Sequence, residues 1–213
     1  MWHALLRDTR FFELLTVLDR EEHYNVTSAL IKSLRAGDPD ATLYYLVRML
    51  SGGDDPLFVA RCLVIFAAED VGNAEPAALP LAMASYQAVE RIGLPEGRIP
   101  LAQAVTFLAT APKSNASYKA LGRASEAVER TGDAPVPMHL RNPVTPLMKS
   151  QGYGEGCRYA HDAPDAFVAA RNLPAEVGEA EFYQPTQHGT EVAIAERLAA
   201  WRSRRARESD PED

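Results

Sequence analysis

The spacing of apolar residues along this chain predicts helices over most of its length. Behind Pro39, apolar residues recur three and four positions apart until a glycine pair ends the run. These residues are Leu43, Leu46, Val47 and Leu50, followed by Gly52-Gly53. The stretch from Leu57 to Ala68 is apolar on nearly every side. Such a helix belongs in the middle of a bundle or at a subunit interface.

Proline marks three predicted helix starts, in Asp38-Pro39, Asp55-Pro56 and Glu75-Pro76. Proline suits a first helical residue because the amide hydrogen it lacks would have no partner there. An earlier helix is predicted to begin near Tyr24, and residues 1–20 fit an amphipathic helix. Further helices are predicted over 77–92, 99–110, 115–131 and 190–206. Strand patterns are scarce, so the predicted fold class is all-α.

The segment from Ala134 to Tyr183 differs from the rest because prolines repeatedly interrupt it. A long helix cannot continue through them. We predict an irregular, proline-rich and well-packed connector with short helices, placed before the last helix. The final residues, 208–213, are polar and are expected to fray.

Composition narrows the possible functions. The chain has 213 residues, 46% of them apolar, and a net charge of -7. An acidic chain repels phosphate, so any contact with DNA must be local. The two cysteines offer no disulfide framework, and no apolar run approaches the roughly 20 residues of a membrane span. We therefore expect a cytoplasmic protein with no membrane contact.

Catalytic patterns are missing from the sequence. ATP-hydrolysing proteins of the P-loop type need a glycine-rich loop that ends in Gly-Lys-Ser/Thr, and no stretch here has one. The residues His139, Cys157, His161 and Asp162 invite a zinc site, but only Cys157 and His161 have a short ligand spacing. We predict no catalytic residue, no cofactor and no metal in this chain.

Several short motifs together carry a family resemblance. They are Pro112-Lys113-Ser114-Asn115, His139-Leu140-Arg141-Asn142-Pro143, Gly152-Tyr153-Gly154-Glu155-Gly156, Tyr159-Ala160-His161-Asp162, and the earlier stretches 23–33, 55–61 and 69–74. The chain resembles the carboxy-terminal part of the replication-associated recombination protein family. This family comprises bacterial RarA/MgsA and the eukaryotic Werner-helicase-interacting protein, in the clamp-loader branch of the AAA+ ATPases.

The resemblance implies a helical bundle like the oligomerisation collar of clamp-loader subunits. Residues 1–20 would lie near the end of the ATPase lid, 21–70 would form an AAA-associated helical segment, and 71–207 the carboxy-terminal oligomerisation domain. It also implies a homotetramer, with ATP and magnesium held by an ATPase core that this chain lacks. The chain is then either a fragment or a stand-alone remnant.

For the intact protein, the resemblance implies ATP-driven remodelling of stalled replication forks or single-strand gaps. A single-stranded-DNA-binding protein is the implied partner, and the implied location is the cytoplasm, at the nucleoid.

The candidate contacts with DNA or another anion are cationic or lie at a predicted helix start. Ser114 or Asn115 can cap the helix that follows Pro112, and free amides there, beside Lys113, suit a phosphate. The other candidates are Lys119, Arg123, Arg141, Lys149 and Arg158. Arg141, Lys149 and Arg158 stand near Tyr153 and Tyr159, which can stack on bases or fasten the connector to the core. We favour the fastening role.

Two functional hypotheses follow. The first is a non-catalytic assembly module whose apolar helices, especially 57–68 and 77–92, pack partly between subunits. The second is a module that binds single-stranded or gapped DNA in a groove lined by these cations. The final helix is also basic, and we interpret its arginines as a solvated face.

Overall fold

The computed structural model describes the backbone of residues 9–209 and the side chains of residues 21–208, and within that range no residue forms a β-strand. The predicted all-α class is confirmed. The described range contains eight α-helices: α1 Thr9–Ala36, α2 Pro39–Ser51, α3 Pro56–Phe66, α4 Ala78–Ile92, α5 Arg98–Thr110, α6 Ala116–Thr131, α7 Pro146–Ser150 and α8 Glu191–Ser209. None of these helices combines the length and the apolar character that crossing a membrane requires.

At two of the predicted helix starts, the aspartate before the proline caps the helix with its side chain. Asp38 precedes α2 and accepts a hydrogen bond from the Ala41 amide at 2.9 Å, while Asp55 precedes α3 and accepts one from the Leu57 amide at 2.9 Å. Each cap satisfies an amide that the first helical turn leaves free. After Glu75-Pro76 a turn intervenes, and α4 begins only at Ala78.

The first compact unit, residues 1–115, contains α1 to α5, and α5 is its centre. Helix α5 contacts α1, α2, α3 and α4. Its buried side chains include Leu101, Val105 and Leu108, with Ala104 and Ala109 between them. Small alanines let neighbouring helices approach closely while the larger residues fill the space between them.

Helix α3 does not hold the middle position that its apolar sequence predicts. Val59, Leu63 and Phe66 are buried, but Ile65 and Arg61 on the same helix are exposed. The prediction of a central place is wrong because α3 is buried only on the side that packs against α4 and α5, and its other side is exposed. The alternative prediction, that α3 contributes to a subunit interface, stays open.

The first helix is much longer than the sequence suggests. It begins at Thr9 rather than near Tyr24, so residues 9–20 belong to the same helix as 21–36. Residues 1–8 of the predicted amphipathic helix lie outside the described part of the chain. The helix runs across the predicted boundary between 20 and 21, and the division into 1–20, 21–70 and 71–207 stays a prediction.

The second compact unit, residues 116–213, confirms the irregular connector. Between α6 and α8 the chain has only α7 and short 3₁₀ turns at Met138–Leu140, Ala160–Asp162 and Pro164–Ala166. Helix α8 continues to Ser209, so fraying does not begin at 208 as predicted. Residues 210–213 lie outside the described range.

Candidate functional site

Two of the motifs from the sequence meet in the first unit. Helix α3 passes into a wider π-helical turn, Ala67–Val71, which carries Glu69 and Asp70. The amide of Ser114 donates a hydrogen bond to the Asp70 carbonyl at 2.8 Å. Gly72 has φ +52° and ψ −137°, a conformation that suits glycine. A Cβ added to Gly72 would lie 2.8 Å from the Ser114 carbonyl oxygen, so the close approach requires glycine.

Arg35 joins this junction from the last turn of α1. Its Nε donates to Asp70 Oδ1 at 2.7 Å and its Nη2 donates to Asp70 Oδ2 at 3.1 Å. The Glu69 carboxylate lies 3.7 Å from the same guanidinium. The hydrogen bond to Asp70 raises the pKa of Arg35 above its usual value, which burial only partly opposes. This pair clamps the π-helical turn to α1.

The ammonium of Lys113 turns back onto the end of α5. Its Nζ donates to the carbonyls of Ala109 and Ala111 at 2.9 and 2.5 Å. These carbonyls belong to the last helical turn and the residue after it, which have no helical amide to accept from. Burial lowers the pKa of Lys113, and the nearby Asp70 charge opposes the change. Lys113 therefore stabilises a helix end, and binding an anion would require it to leave these carbonyls.

The neighbours of Lys113 take different positions. Ser114 is buried and its amide is used by Asp70, whereas Asn115 is exposed and α6 begins directly after it. On α6, Lys119 is exposed, but Arg123 is half-buried and donates to Gln184 Oε1 at 3.2 Å. Of the candidate cations Lys113, Lys119 and Arg123, Lys119 is therefore exposed, and the other two hold groups of the chain itself.

In the second unit, the motifs around Arg141 and Tyr153 pack against each other. Arg141 Nε donates to the Val136 carbonyl at 2.7 Å, and its guanidinium lies 5.3 Å from the centre of the Tyr153 ring. The Gly154 amide donates to the Met138 carbonyl at 2.9 Å. Arg141 thus fastens the connector, which is the role that we favoured for it from the sequence.

Lys149 and Arg158 behave differently. Both side chains are exposed, Lys149 on α7 and Arg158 before the exposed Tyr159, whose ring lies 5.1 Å from that of His161. These cations are available to a phosphate, and their role in binding DNA stays a prediction. Of the four residues that invited a zinc site, His139 has its Nε2 3.1 Å from Asn172 Oδ1.

The final helix is only in part the solvated face that we predicted: Arg197 and Arg207 are exposed, but Arg202, Arg204 and Arg205 are half-buried. Arg202 donates to the Tyr183 carbonyl at 2.8 Å and pairs with Glu181 at 3.2 Å. Arg204 pairs with Asp165 at 3.1 Å and lies over the Phe167 ring, which stacks on Trp201 at 5.4 Å. The solvated interpretation is wrong for these arginines because the connector covers them.

A buried carboxylate fixes the start of the same helix. Glu191 is fully buried and accepts hydrogen bonds from the Tyr183 hydroxyl at 2.8 Å and from the Thr186 amide and hydroxyl at 2.7 Å each. A carboxylate at the first position of a helix also faces the positive end of its dipole. Glu191 therefore ties the end of the connector to α8.

Two open clefts lie in the second unit. One, of about 550 Å³, is lined by Met138, His139 and Arg141 among others, and the other, of about 480 Å³, by Tyr183, Arg202 and Arg205 among others. Their polar groups largely hold the connector together. Within the described residues, no group of three or more histidine, cysteine, aspartate or glutamate side chains is placed to hold a metal ion.

The all-helical fold and the comparison with family models together place this chain in the class of carboxy-terminal regions of AAA+ ATPases. Residues 36–202 match the family model described as MgsA AAA+ ATPase C terminal. The chain belongs to this family, as the motifs in the sequence predict.

Relatives agree with this assignment. The chain is 47% identical over 194 residues to Replication-associated recombination protein A of Coxiella burnetii, covering 91% of this chain and 44% of that protein. It is 45% identical over 180 residues to the protein of the same name from Escherichia coli K12, covering 84% and 40%. It is 41% identical over 162 residues to ATPase WRNIP1 of Dictyostelium discoideum, covering 76% and 18%. The chain thus spans less than half the length of these relatives.

Proposed function

We propose that this chain is the assembly part of an MgsA-type AAA+ ATPase and forms a homotetramer. The observation that carries the proposal concerns its isoleucines. The sequence has five, all in the described part, and none is fully buried. Ile65, Ile92 and Ile99 are 60%, 57% and 71% exposed.

Isoleucine is among the residues that folded proteins bury most often. Single exposed apolar residues are common, but here three of the five isoleucines are exposed, while Ile31 packs against the core and Ile194 is half-buried. Ile92 and Ile99 flank the turn between α4 and α5, and Ile65 lies on α3. Burial of such side chains between copies removes apolar area from water, which is the main driving force of stable association.

In the whole protein, we propose that ATP and magnesium are bound by an ATPase core outside this chain. The chain itself would be non-catalytic and would hold several cores together. The names of its relatives support a role in replication-associated recombination, and we propose stalled forks or gaps as the place of action. A single-stranded-DNA-binding protein would be the partner, and the nucleoid the location.

Light scattering coupled to size exclusion tests the assembly proposal. Over a hundredfold range of protein concentration, the expected mass at the upper end is four times the 23.3 kDa of the chain. Dilution should lower the mass, because association depends on concentration. A constant mass of one chain at the highest concentration would refute the proposal.

A second candidate function is binding of single-stranded or gapped DNA. The observation in its favour is the exposure of Lys119, Lys149 and Arg158, since exposed cations contact phosphate without first breaking other contacts. Fluorescence anisotropy with a labelled single strand should then show binding that weakens steeply with salt. Lys149→Ala with Arg158→Ala should reduce the salt dependence, whereas Arg141→Ala should act through folding of the connector. Absence of binding at low salt would remove this candidate.

A further inference from the structure

The connector, residues 134–183, buries its aromatic rings wholly or in part with one exception, Tyr159. The Tyr153 ring packs against an arginine of the connector, and the Phe167 ring packs against α8. The Tyr159 ring is 66% exposed, and the one ring that it meets among the described residues is that of His161, at 5.1 Å between centres. Packing within the chain therefore does not explain an aromatic residue at position 159.

The polar groups beside Tyr159 are also unused by the fold. Arg158 and His161 are exposed. Within the part of the chain that the structure describes, no hydrogen bond or ion pair involves the Arg158 guanidinium, the Tyr159 hydroxyl or the His161 ring. Arg141, in contrast, holds both a carbonyl and a ring. We call Arg158, Tyr159 and His161 the aromatic platform.

The backbone beneath the aromatic platform is fixed. The 3₁₀ turn Ala160–Asp162 begins with a hydrogen bond from the Asp162 amide to the Tyr159 carbonyl at 3.1 Å. A few residues further on, Asp165 pairs with Arg204 of α8 at 3.1 Å. A ring on a fixed backbone loses little conformational freedom when a ligand packs on it, so less of the binding free energy is used for ordering.

The three side chains together match the parts of a nucleotide. The Tyr159 ring offers an aromatic face on which any base can stack. The Arg158 guanidinium can bind a phosphate, and the His161 nitrogens can donate to or accept from the edge of a base. Bases in a duplex stack on each other and leave no face for a tyrosine, so the platform suits a single strand or a gap.

Charge alone would attract an anion only weakly at this place. Arg158 and Lys149 are exposed, but so are Glu155 and Asp162. A phosphate bound by Arg158 therefore gains little from the surrounding charges, and the base has to supply the larger part of the contact. This balance distinguishes the aromatic platform from a groove that binds the backbone of DNA through cations.

We propose that the aromatic platform binds one unpaired base of single-stranded DNA, with Tyr159 stacked on the base and Arg158 on its phosphate. The inference rests on the second candidate function, binding of single-stranded or gapped DNA, and names the side chains that would hold a base. It also divides the motif residues of the connector into two groups. Arg141 and Tyr153 fasten the segment, and the aromatic platform faces the ligand.

Tyr159→Ala is the first test, by fluorescence anisotropy at low salt with a labelled single strand and with an abasic strand of equal length. Loss of the ring should raise the dissociation constant for the normal strand by about tenfold, as expected for one stacked base. The dissociation constant for the abasic strand should stay within about twofold, because no base is there to lose its contact. Tyr159→Trp keeps an aromatic face and should bind the normal strand at least as tightly as the parent.

Tyr24→Ala is the matched control, because Tyr24 is 73% exposed but follows Glu21 and Glu22 on α1. It should leave both dissociation constants unchanged. Two further variants test the charges. Asp162→Asn should lower the dissociation constant and Arg158→Gln should raise it, each by about threefold, since they remove opposite charges beside the same phosphate. Circular dichroism verifies that every variant keeps its helices.

The outcomes separate this inference from the functions proposed above. If the parent chain does not bind a single strand at low salt, DNA binding and the aromatic platform are both refuted, and the assembly function is untouched. If the parent binds but Tyr159→Ala binds equally well, or weakens both strands equally, the platform is refuted and DNA binding through cations stands. A lower mass of Tyr159→Ala in light scattering with unchanged DNA binding would make the platform a contact between copies and refute it as a base site. A mononucleotide that binds as tightly as the strand would also overturn it. A tenfold loss confined to the strand with bases, and absent in Tyr159→Trp, supports the platform.

Discussion

We expect the buried hydroxyl of Ser85 to lower the free energy of unfolding of the protein. This serine lies on α4, is almost fully buried, and faces the core with Ala82 and Val89. Among the described residues, its hydroxyl oxygen has no hydrogen-bond partner. Folding therefore removes the hydroxyl from water without replacing the lost hydrogen bonds. We expect Ser85→Ala to raise the free energy of unfolding.

The magnitude follows from three contributions. Removal of the unsatisfied hydroxyl adds about 1–2 kcal/mol to the free energy of unfolding. Alanine adds about 0.5 kcal/mol because it favours the helix more than serine does. Loss of the packing contacts of one oxygen atom subtracts roughly 0.5 kcal/mol. The net expectation is a gain of about 1–2 kcal/mol, which raises the thermal midpoint by about 2–4 °C for each kcal/mol in a chain of this size.

Thr42 provides the matched comparison, because its hydroxyl is equally buried but satisfied. Its Oγ1 donates to the Asp38 carbonyl at 2.6 Å. Thr42→Val keeps the shape and removes the hydrogen bond, so it should lower the free energy of unfolding by about 1 kcal/mol. The two substitutions each remove a buried hydroxyl and should act in opposite directions.

Urea unfolding followed by circular dichroism at a fixed protein concentration measures both variants, since association would otherwise alter the apparent stability. The midpoint should shift upward for Ser85→Ala and downward for Thr42→Val with the same dependence on urea. The reasoning fails if Ser85→Ala is less stable than the parent, or if both variants shift in the same direction.

Two further predictions concern the junction at the π-helical turn. Arg35→Met should lower the free energy of unfolding, measured in urea, by about 2 kcal/mol, and Asp70→Asn should lower it by only about 1 kcal/mol. Arg35→Met leaves the Asp70 carboxylate, whose side chain is only 16% exposed, without its partner. Asp70→Asn instead leaves the Arg35 guanidinium, whose side chain is 50% exposed and can be hydrated. Equal losses of stability in the two variants would contradict this reasoning. Gly72→Ala should lower the free energy of unfolding by about 3 kcal/mol, because it adds backbone strain and a clash with Ser114. Gly53 also has a positive φ but lies in open space, so Gly53→Ala should lower it by only about 1 kcal/mol. Similar thermal midpoints for the two glycine variants would show that the clash is absent.

Local sequence signals predicted most of the helical architecture. The predicted ranges 77–92, 99–110 and 115–131 differ by one residue from the starts of α4, α5 and α6, because the apolar spacing and the flanking proline and glycine act within a few residues. The identity of the central helix was not predictable in this way. Helix α3 is more apolar than α5, but the alanines of α5 let four helices approach it, and that depends on the whole arrangement.

The site could be predicted only in part. The sequence indicated that residues 69–74 and 112–115 matter, but it gave no sign that they touch, since about forty residues separate them. Arg35 was missed for the same reason: nothing near it in sequence marks Asp70 as its partner. For Lys113, the residue type suggested an anion, whereas the fold brings its ammonium to two carbonyls of its own chain. Contacts over such separations depend on tertiary packing.

The fastening of the connector by α8 has a consequence for how the protein is made. Tyr183, Phe167 and Asp165 are held by Arg202, Trp201 and Arg204, which follow them later in the chain on α8. During synthesis from the amino terminus, the first unit can form while the ribosome is still adding residues, but the connector has no anchor until the last turns have emerged. Removal of the part of α8 from Trp201 onwards would therefore loosen a segment made well before it.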